Sequence, residues 1–214
     1  MEAACLAAGR KREEVTVVAV TKTKPAEQVE ELYRLGYRHF AENRLEGLLE
    51  KQAALPQEDI IWHYIGTLQT RKVKQVINHI AYFHALDRPS LAKEINERAK
   101  QPVSCFVQVN VTGESSKHGL SASEAVPFIK SLKEFPNILV VGLMTMAPID
   151  ATDVELHQCF KDLKIMQEQV AALNLAHAPC TETSMGMSQD FPTAIAEGAT
   201  FVRVGSAFFA ETEA

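Results

Sequence analysis

The sequence has no long hydrophobic run, no closely spaced cysteine pair and no surplus of positive charge. Its longest apolar runs, residues 15–20 and 138–144, are too short to cross a bilayer, and its first residues show no signal-peptide pattern. The four cysteines, at positions 5, 105, 159 and 180, have the spacing of neither a disulfide framework nor a Cys-x-x-Cys metal site. A net charge of -5 gives no general attraction to nucleic acid. We therefore expect a cytoplasmic protein with reduced, buried thiols, no membrane segment, no bound metal and no nucleic-acid partner.

The composition is that of an ordinary globular chain. Of the 214 residues 46% are hydrophobic, which is enough for one sizeable core. Glycine and proline are spread along the chain, and no stretch resembles a linker between two cores. A single domain over residues 1–214 is the simplest prediction.

Strand-like and helix-like segments alternate along the whole chain. Eight short apolar or β-branched runs predict strands at residues 15–20, 39–43, 61–66, 82–87, 105–111, 139–146, 181–186 and 201–205. Segments with helical periodicity lie between them, at residues 26–35, 45–54, 91–100, 121–135 and 154–173. Ser121 with Glu124, and Thr152 with Glu155, have capping-box spacing. Such alternation implies parallel strands, and eight units favour a single α/β domain folded as a closed (β/α)8 TIM barrel.

An open doubly wound sheet is the alternative to the barrel. No Gly-x-Gly-x-x-Gly motif follows any of the predicted strands, so the dinucleotide-binding version of that sheet lacks its usual signature.

Polar residues collect where the predicted strands end, which is the face that carries the chemistry of such barrels. They are Lys22, Asn43, His63 with Gly66, Asp87, Asn110, Met144 with Thr145, residues 184–188 and residues 203–206.

Lys22 comes two residues after the end of the first predicted strand and, by the two-residue period, shares a face with Val18 and Val20. If that face points inward, an amine lies at the mouth of the barrel. A desolvated lysine amine attacks carbonyl carbons and forms Schiff bases. The same pattern also fits a surface lysine at a strand end.

Two loops rich in small residues follow the seventh and eighth strands. They contain residues 184–188, Ser-Met-Gly-Met-Ser, and the pair Gly205-Ser206. In (β/α)8 barrels these two loops commonly bind phosphate. Helix capping by Ser188 or Ser206 is the competing interpretation. The occurrence of both loops on adjacent strands favours phosphate.

Arg203 lies inside the apolar run Phe-Val-Arg-Val at residues 201–204. A buried guanidinium needs a partner, which is either the carboxylate of a salt bridge at the edge of the core or an acceptor atom of a ligand. A lysine amine, a phosphate loop and an arginine that meets a ring nitrogen are together the elements of a pyridoxal phosphate site.

Seven ordered blocks of the sequence carry a resemblance to a known family. They are residues 19–25 (AVTKTKP), 42–43 (EN), 63–66 (HYIG) with Leu68, Gln69 and Lys72, 114–119 (ESSKHG), 142–144 (GLM), 184–188 (SMGMS) with Asp190, and 202–205 (VRVG). On these blocks the chain resembles the pyridoxal phosphate homeostasis protein family, whose fold is similar to the N-terminal barrel of alanine racemase. Arg44 and Arg71 depart from the pattern, because the family often has tyrosine and asparagine there.

The resemblance implies pyridoxal 5'-phosphate as the cofactor and a role for each site residue. Lys22 would hold the cofactor as a reversible Schiff base, and Arg203 would face its pyridine nitrogen. Ser184, Gly205 and Ser206 would form the phosphate cup, and Asn43, His63 and Met144 would line the mouth. Gly186 and Met187 complete the predicted cofactor-binding set.

Two functions compete within that resemblance: a racemase-type enzyme and a non-catalytic carrier. A racemase needs an acid–base group on each face of the substrate α-carbon. In alanine racemase the group opposite the lysine is a tyrosine from a second subunit, placed by a further C-terminal domain, and this sequence ends nine residues after Gly205. An arginine at the ring nitrogen also opposes protonation of that nitrogen.

The sequence thus favours a monomeric carrier, without turnover, that buffers pyridoxal phosphate or delivers it to apo-enzymes. An amino-acid racemase is the alternative. An interaction module that uses the basic residues Arg71, Lys72 and Lys74 is a third class, although a solvated helix face has the same pattern.

Overall fold

The computed structural model describes residues 1–114 and 118–209, so residues 115–117 of the ESSKHG block lie outside the described residues. The strands are β1 (Thr16–Val20), β2 (His39–Glu42), β3 (Ile61–Tyr64), β4 (Tyr82–Leu86), β5 (Val103–Asn110), β6 (Leu120–Ser121), β7 (Ile138–Met144), β8 (Glu182–Ser184) and β9 (Phe201–Val204). The helices are α1 (Glu2–Ala7), α2 (Ala26–Arg34), α3 (Leu45–Ala54), α4 (Val73–Val76), α5 (Pro89–Arg98), α6 (Ala122–Ser131), α7 (Asp153–Ala171) and α8 (Phe191–Ala196).

Eight of these strands form a closed parallel barrel. Around the ring β1 pairs with β2, then β3, β4, β5, β7, β8 and β9 follow, and β9 pairs with β1 to close it. The two-residue β6 adds to β5 outside the ring. The predicted (β/α)8 barrel is confirmed. None of the described helices combines the length and the apolar character that a membrane span requires.

Local sequence signals set where several elements begin and end. Both predicted capping boxes are present, at the start of α6 and at the start of α7, where the Thr152 N–H donates to Glu155 Oε2 at 2.8 Å. The seventh predicted strand, residues 181–186, corresponds to the shorter β8 (Glu182–Ser184). Cys180 and Gly186 adopt φ angles of 48° and 88°, which break the extended backbone on either side of β8.

Aromatic side chains fill the interior of the barrel. The Phe201 ring centroid lies 5.3 Å from that of Phe106 and 5.6 Å from that of Tyr82. In the strand register Val18 pairs with Arg203, Met144 pairs with Ser184, and Ser184 pairs with Phe201. The carboxyl ends of the strands therefore open above a packed floor.

The four cysteines are buried and form no disulfide. Burial raises the pKa of Cys105 to about 12 and, together with the nearby Glu182 charge, that of Cys180 to about 12. Because the thiolate is the reactive form, we expect the native protein to resist an aromatic disulfide reagent, while the urea-unfolded protein reacts at once. Rapid reaction of the native protein at either cysteine would contradict this prediction.

Candidate ligand site at the mouth of the barrel

A cavity of about 720 Å³ opens at the carboxyl ends of the strands. Seven residues of the predicted site line it: Lys22, Asn43, Met144, Met187, Arg203, Gly205 and Ser206. Its other polar lining residues include Ser188, Gln189 and Asp190. Among the described residues the structure thus brings one amine, one guanidinium and two hydroxyl groups, those of Ser188 and Ser206, to a single cavity.

Lys22 lies on an anchored turn at the end of β1. The neighbouring Thr21 is fully buried, and its N–H donates to the Ala41 carbonyl at 3.0 Å while its hydroxyl donates to Glu42 at 2.7 Å. The chain then turns, because Thr23 has a φ of 66° and the Lys24 N–H returns to the Thr21 carbonyl. The exposed Lys22 side chain is therefore presented to the cavity from a backbone that is tied to β2.

Arg203 presents a buried cation to the cavity floor. It is 5% exposed, and its NH1 and NH2 groups donate to Ser184 Oγ at 2.6 Å and to the Thr145 carbonyl at 3.0 Å. Burial lowers the pKa of Arg203 to about 10, opposed by the charge of Asp190, so the guanidinium stays charged at neutral pH. Among the described residues no carboxylate lies within salt-bridge distance of it.

A guanidinium has five N–H donors, and these two bonds occupy two of them. Both partners are neutral, so the positive charge of Arg203 is not cancelled by contact. The sequence left two possible partners for Arg203, a carboxylate at the edge of the core or an acceptor atom of a ligand. The described part of the chain contains no such carboxylate within salt-bridge distance. The remaining donors and the charge are features that suit a polar ligand.

Ser188 joins the two small-residue loops. Its hydroxyl accepts the Gly205 N–H at 3.0 Å and the Ala207 N–H at 3.4 Å. Asp190 closes the turn on its own side by accepting the Met187 N–H. The predicted phosphate loops thus meet at the cavity, and Ser188 connects them.

One wall of the cavity is apolar and includes the loop after β7. Ala147 and Leu156 contribute to it with Met144, and Ile149, which is 94% exposed, lies at the rim. On the opposite side Gly66 packs against Asn43 so closely that a Cβ at Gly66 would lie 2.3 Å from the Asn43 carbonyl oxygen. The cavity therefore combines a charged floor with an apolar wall.

Three predicted site residues lie beneath the cavity instead of lining it. His63 and Ser184 are fully buried and bond to other side chains inside the barrel. The backbone of Gly186 supports Arg203, since its carbonyl accepts the Arg203 N–H at 2.9 Å, and a Cβ there would lie 2.5 Å from the Ala194 side chain. The resemblance implies that His63 lines the mouth and that Ser184 belongs to the phosphate cup, and both roles stay predictions.

Strand periodicity explains why His63 lies below the cavity. Two residues of a strand separate successive inward-facing layers, so Ile65 reaches the cavity where His63 does not. Ser188 and Asp190 also line the cavity. The predicted cofactor-binding set omits both, although Ser188 lies in the predicted phosphate loop and Asp190 follows that loop by two residues. The position of Ser188 and Asp190 in and after the SMGMS block is the sequence feature that could have placed them in the site.

Fold and site together define a (β/α)8 barrel protein with a cavity, lined by Lys22 and Arg203, at the carboxyl ends of its strands. The family model of the alanine racemase N-terminal domain matches residues 5–213. The chain is 36% identical over 214 residues to the pyridoxal phosphate homeostasis protein of Aquifex aeolicus, covering 99% of this chain and 93% of that protein. It is 38% identical to the homologue of the same name from Pseudomonas aeruginosa, covering 96% and 88%.

The structure is also similar to PipY of Synechococcus elongatus PCC7942 with pyridoxal phosphate bound. The TM-score is 0.86 at 30% identity, and the match covers 98% of each chain. The chain belongs to the family of the pyridoxal phosphate homeostasis proteins, within the alanine racemase N-terminal domain family.

Proposed function

We propose that this protein binds pyridoxal 5'-phosphate in the mouth cavity and holds it in a releasable form, without turning over an amino acid. The observation that carries the proposal is the convergence of Lys22, Arg203 and the loops joined by Ser188 on one cavity of about 720 Å³. The pyridoxal phosphate bound to PipY and the name of the curated relatives support the choice of ligand.

The donor set fits the chemistry of this cofactor. Pyridoxal phosphate carries an aldehyde that condenses reversibly with an amine, and Lys22 is the lysine that lines the cavity. The loops of Ser188, Gly205 and Ser206 would hold the phosphate, and the charge of Arg203 would face the polar edge of the ring. Asn43, Met144 and Met187 would bound the ring, while His63, Ser184 and Gly186 support the floor from below.

The titratable groups of the cavity favour holding over turnover. Within the described lining they are Lys22, Asp190 and Arg203, and Asp190 already accepts the Met187 N–H. Racemisation needs an acid–base group on each face of the α-carbon, and Lys22 supplies one of them. The Arg203 charge also opposes a second positive charge on the ring nitrogen, which weakens the ring as an electron sink.

Loading of the purified protein tests the binding proposal. We expect added pyridoxal phosphate to produce an absorbance band beyond that of the free cofactor, and borohydride to make the attachment permanent. Mass mapping of the peptides should then place the added mass on Lys22. Absence of the band, or a label on other lysines only, would contradict the proposal.

Proton exchange in deuterated water separates the carrier from the racemase. The loaded protein should exchange the α-proton of alanine and of a broad amino-acid panel no faster than free pyridoxal phosphate does. Exchange above that background would favour the racemase.

We further propose that the protein acts as a monomer and delivers its cofactor to apo-enzymes. Light scattering tests the first part. For the second, transfer to an apo-transaminase should be faster than release into solution, and equal rates would rule out direct delivery.

A further inference from the structure

A line of hydrogen-bonded side chains runs down the barrel interior from Arg203. Arg203 NH1 donates to Ser184 Oγ, which lies 2.8 Å from His84 Nδ1. His84 Nε2 lies 2.9 Å from His63 Nδ1, and His63 Nε2 lies 2.9 Å from His39 Nδ1. We call these four residues below Arg203 (Ser184, His84, His63 and His39) the histidine column.

The column is buried except at its lower end. Ser184, His84 and His63 are fully buried, whereas His39 at the start of β2 is partly exposed. Burial lowers the pKa of His39. Burial is also the main cause that holds the pKa values of His63 and His84 well below the usual range, and repulsion from a protonated neighbouring imidazole, joined at His84 by Arg203, acts in the same direction. The three imidazoles are therefore neutral at neutral pH.

The other groups that face the column are mostly rings. Tyr82 stacks on His63 at 4.6 Å, Phe106 stacks on His84 at 4.5 Å, and Phe201 contacts all three imidazoles. The charges near it, within the described residues, are Arg203 at the top and Glu182, whose charge acts on Tyr82. Among the described residues no carboxylate bonds to any of the three rings, so the direction of their hydrogen bonds depends on the tautomers alone.

Bonding through both ring nitrogens locks the tautomers together. A neutral imidazole has one N–H and one acceptor nitrogen, so each ring that receives a bond on Nδ1 must donate from Nε2. Arg203 is a permanent donor to Ser184 Oγ, which leaves the Ser184 hydroxyl hydrogen for His84 Nδ1. Because His84 Nδ1 then accepts from Ser184, His84 carries its hydrogen on Nε2 and donates to His63 Nδ1. His63 in turn carries its hydrogen on Nε2 and donates to His39 Nδ1.

We propose that the histidine column positions Arg203 at the cavity floor through bonds that run in one direction, and that proton uptake by His39 reverses that direction. The effect of the column on pyridoxal phosphate binding rests on the proposed function, whereas the direction of its hydrogen bonds does not. Ser184, His84, His63 and His39 are in this sense positioning residues, because they act on the ligand through Arg203.

The reversed column holds one proton more than the neutral one. With N–H groups on both of its nitrogens, His39 donates to His63 Nε2, His63 Nδ1 donates to His84 Nε2, and His84 Nδ1 donates to Ser184 Oγ. His63 and His84 each move their hydrogen from Nε2 to Nδ1 and stay neutral, so the added charge resides on His39. Ser184 Oγ then accepts from both His84 and Arg203, and its own hydrogen must turn away from His84.

Nitrogen NMR of the protein without cofactor tests the direction. At pH 8 we expect His39, His63 and His84 all to be Nε2–H tautomers, and on acidification His63 and His84 should convert to Nδ1–H together as His39 becomes charged. An Nδ1–H tautomer of His63 or His84 at pH 8 would overturn the proposal. His157→Gln removes a surface histidine that pairs with Glu197, and it should leave these signals unchanged.

The cofactor-loaded protein tests the coupling to the cavity. Ser184→Ala should weaken pyridoxal phosphate binding about tenfold, because it removes a hydrogen bond to a charged group. His39→Gln keeps an acceptor for His63 and cannot titrate, so it should abolish the pH dependence of the bound-cofactor absorbance below neutrality, while His157→Gln retains it. A His39→Gln protein that titrates like the wild type would refute the coupling. A wild-type protein that binds no cofactor would instead contradict the proposed function. The tautomers measured by nitrogen NMR would still test the direction of the hydrogen bonds in the column.

Discussion

Replacing Lys22 with alanine is expected to abolish the covalent retention of pyridoxal phosphate. Lys22 is the lysine among the described residues that line the cavity, and a lysine amine condenses reversibly with an aldehyde to form a Schiff base. The variant protein should show no absorbance band beyond that of free cofactor and no mass gain after borohydride treatment. The fold should be unaffected, because the Lys22 side chain is exposed.

Two matched variants show whether this loss is specific. Lys24→Ala removes a lysine two residues away, whose Nζ lies 4.9 Å from the centre of the Phe209 ring, and it should retain the band. Lys22→Arg keeps the positive charge but cannot condense with the aldehyde, so it should lose the band and bind the cofactor more tightly than Lys22→Ala does. A band that survives in Lys22→Ala would show that another amine holds the cofactor.

Replacing Lys51 with methionine is expected to lower the free energy of unfolding by about 3–5 kcal/mol. Lys51 Nζ on α3 lies 2.7 Å from Glu42 Oε1 on β2, and the two side chains are 3% and 2% exposed. The methionine would leave the Glu42 carboxylate buried without its cation, and the Thr21 hydroxyl would still donate a hydrogen bond to it. Urea unfolding followed by far-ultraviolet circular dichroism measures the change.

The double variant Lys51→Met with Glu42→Gln is the internal check. A neutral amide can still accept the Thr21 hydroxyl, so more than half of the lost stability should return. Lys93→Met, at an exposed pair with Glu97 on α5, should change the free energy of unfolding by less than about 0.5 kcal/mol. An equally small effect at Lys51 would mean that the buried pair contributes little net stability.

The Lys51 pair also links stability to the site. Glu42 connects α3 to Thr21, and Thr21 and Glu42 directly precede Lys22 and Asn43 in the chain. A Cβ at Gly47 would lie 2.8 Å from Glu42 Oε2, so the helix approaches this carboxylate closely. We therefore interpret the pair as part of the support that holds two cavity residues in place.

Much of the site could be predicted because its residues sit at recognisable places in the pattern. Lys22 comes two residues after the end of a strand, and Arg203 is a charge inside an apolar run. Both line the cavity. His63 and Ser184 lie below the residues that line the cavity, a depth that the sequence pattern does not show, because strand ends are uncertain by a residue or two and each layer spans two residues.

The sequence by itself determined the alternation of strands and helices, the capping boxes of α6 and α7 and the closed barrel, since these follow from local periodicity and from the handedness of parallel connections. Only the tertiary structure decided which polar residues meet. Ser188 reaches Gly205, and His39, His63, His84 and Ser184 join four separate strands into one column. The physical reason is that these contacts join residues 17 to 100 positions apart, and their hydrogen bonds depend on the register of the closed barrel, which no local pattern contains.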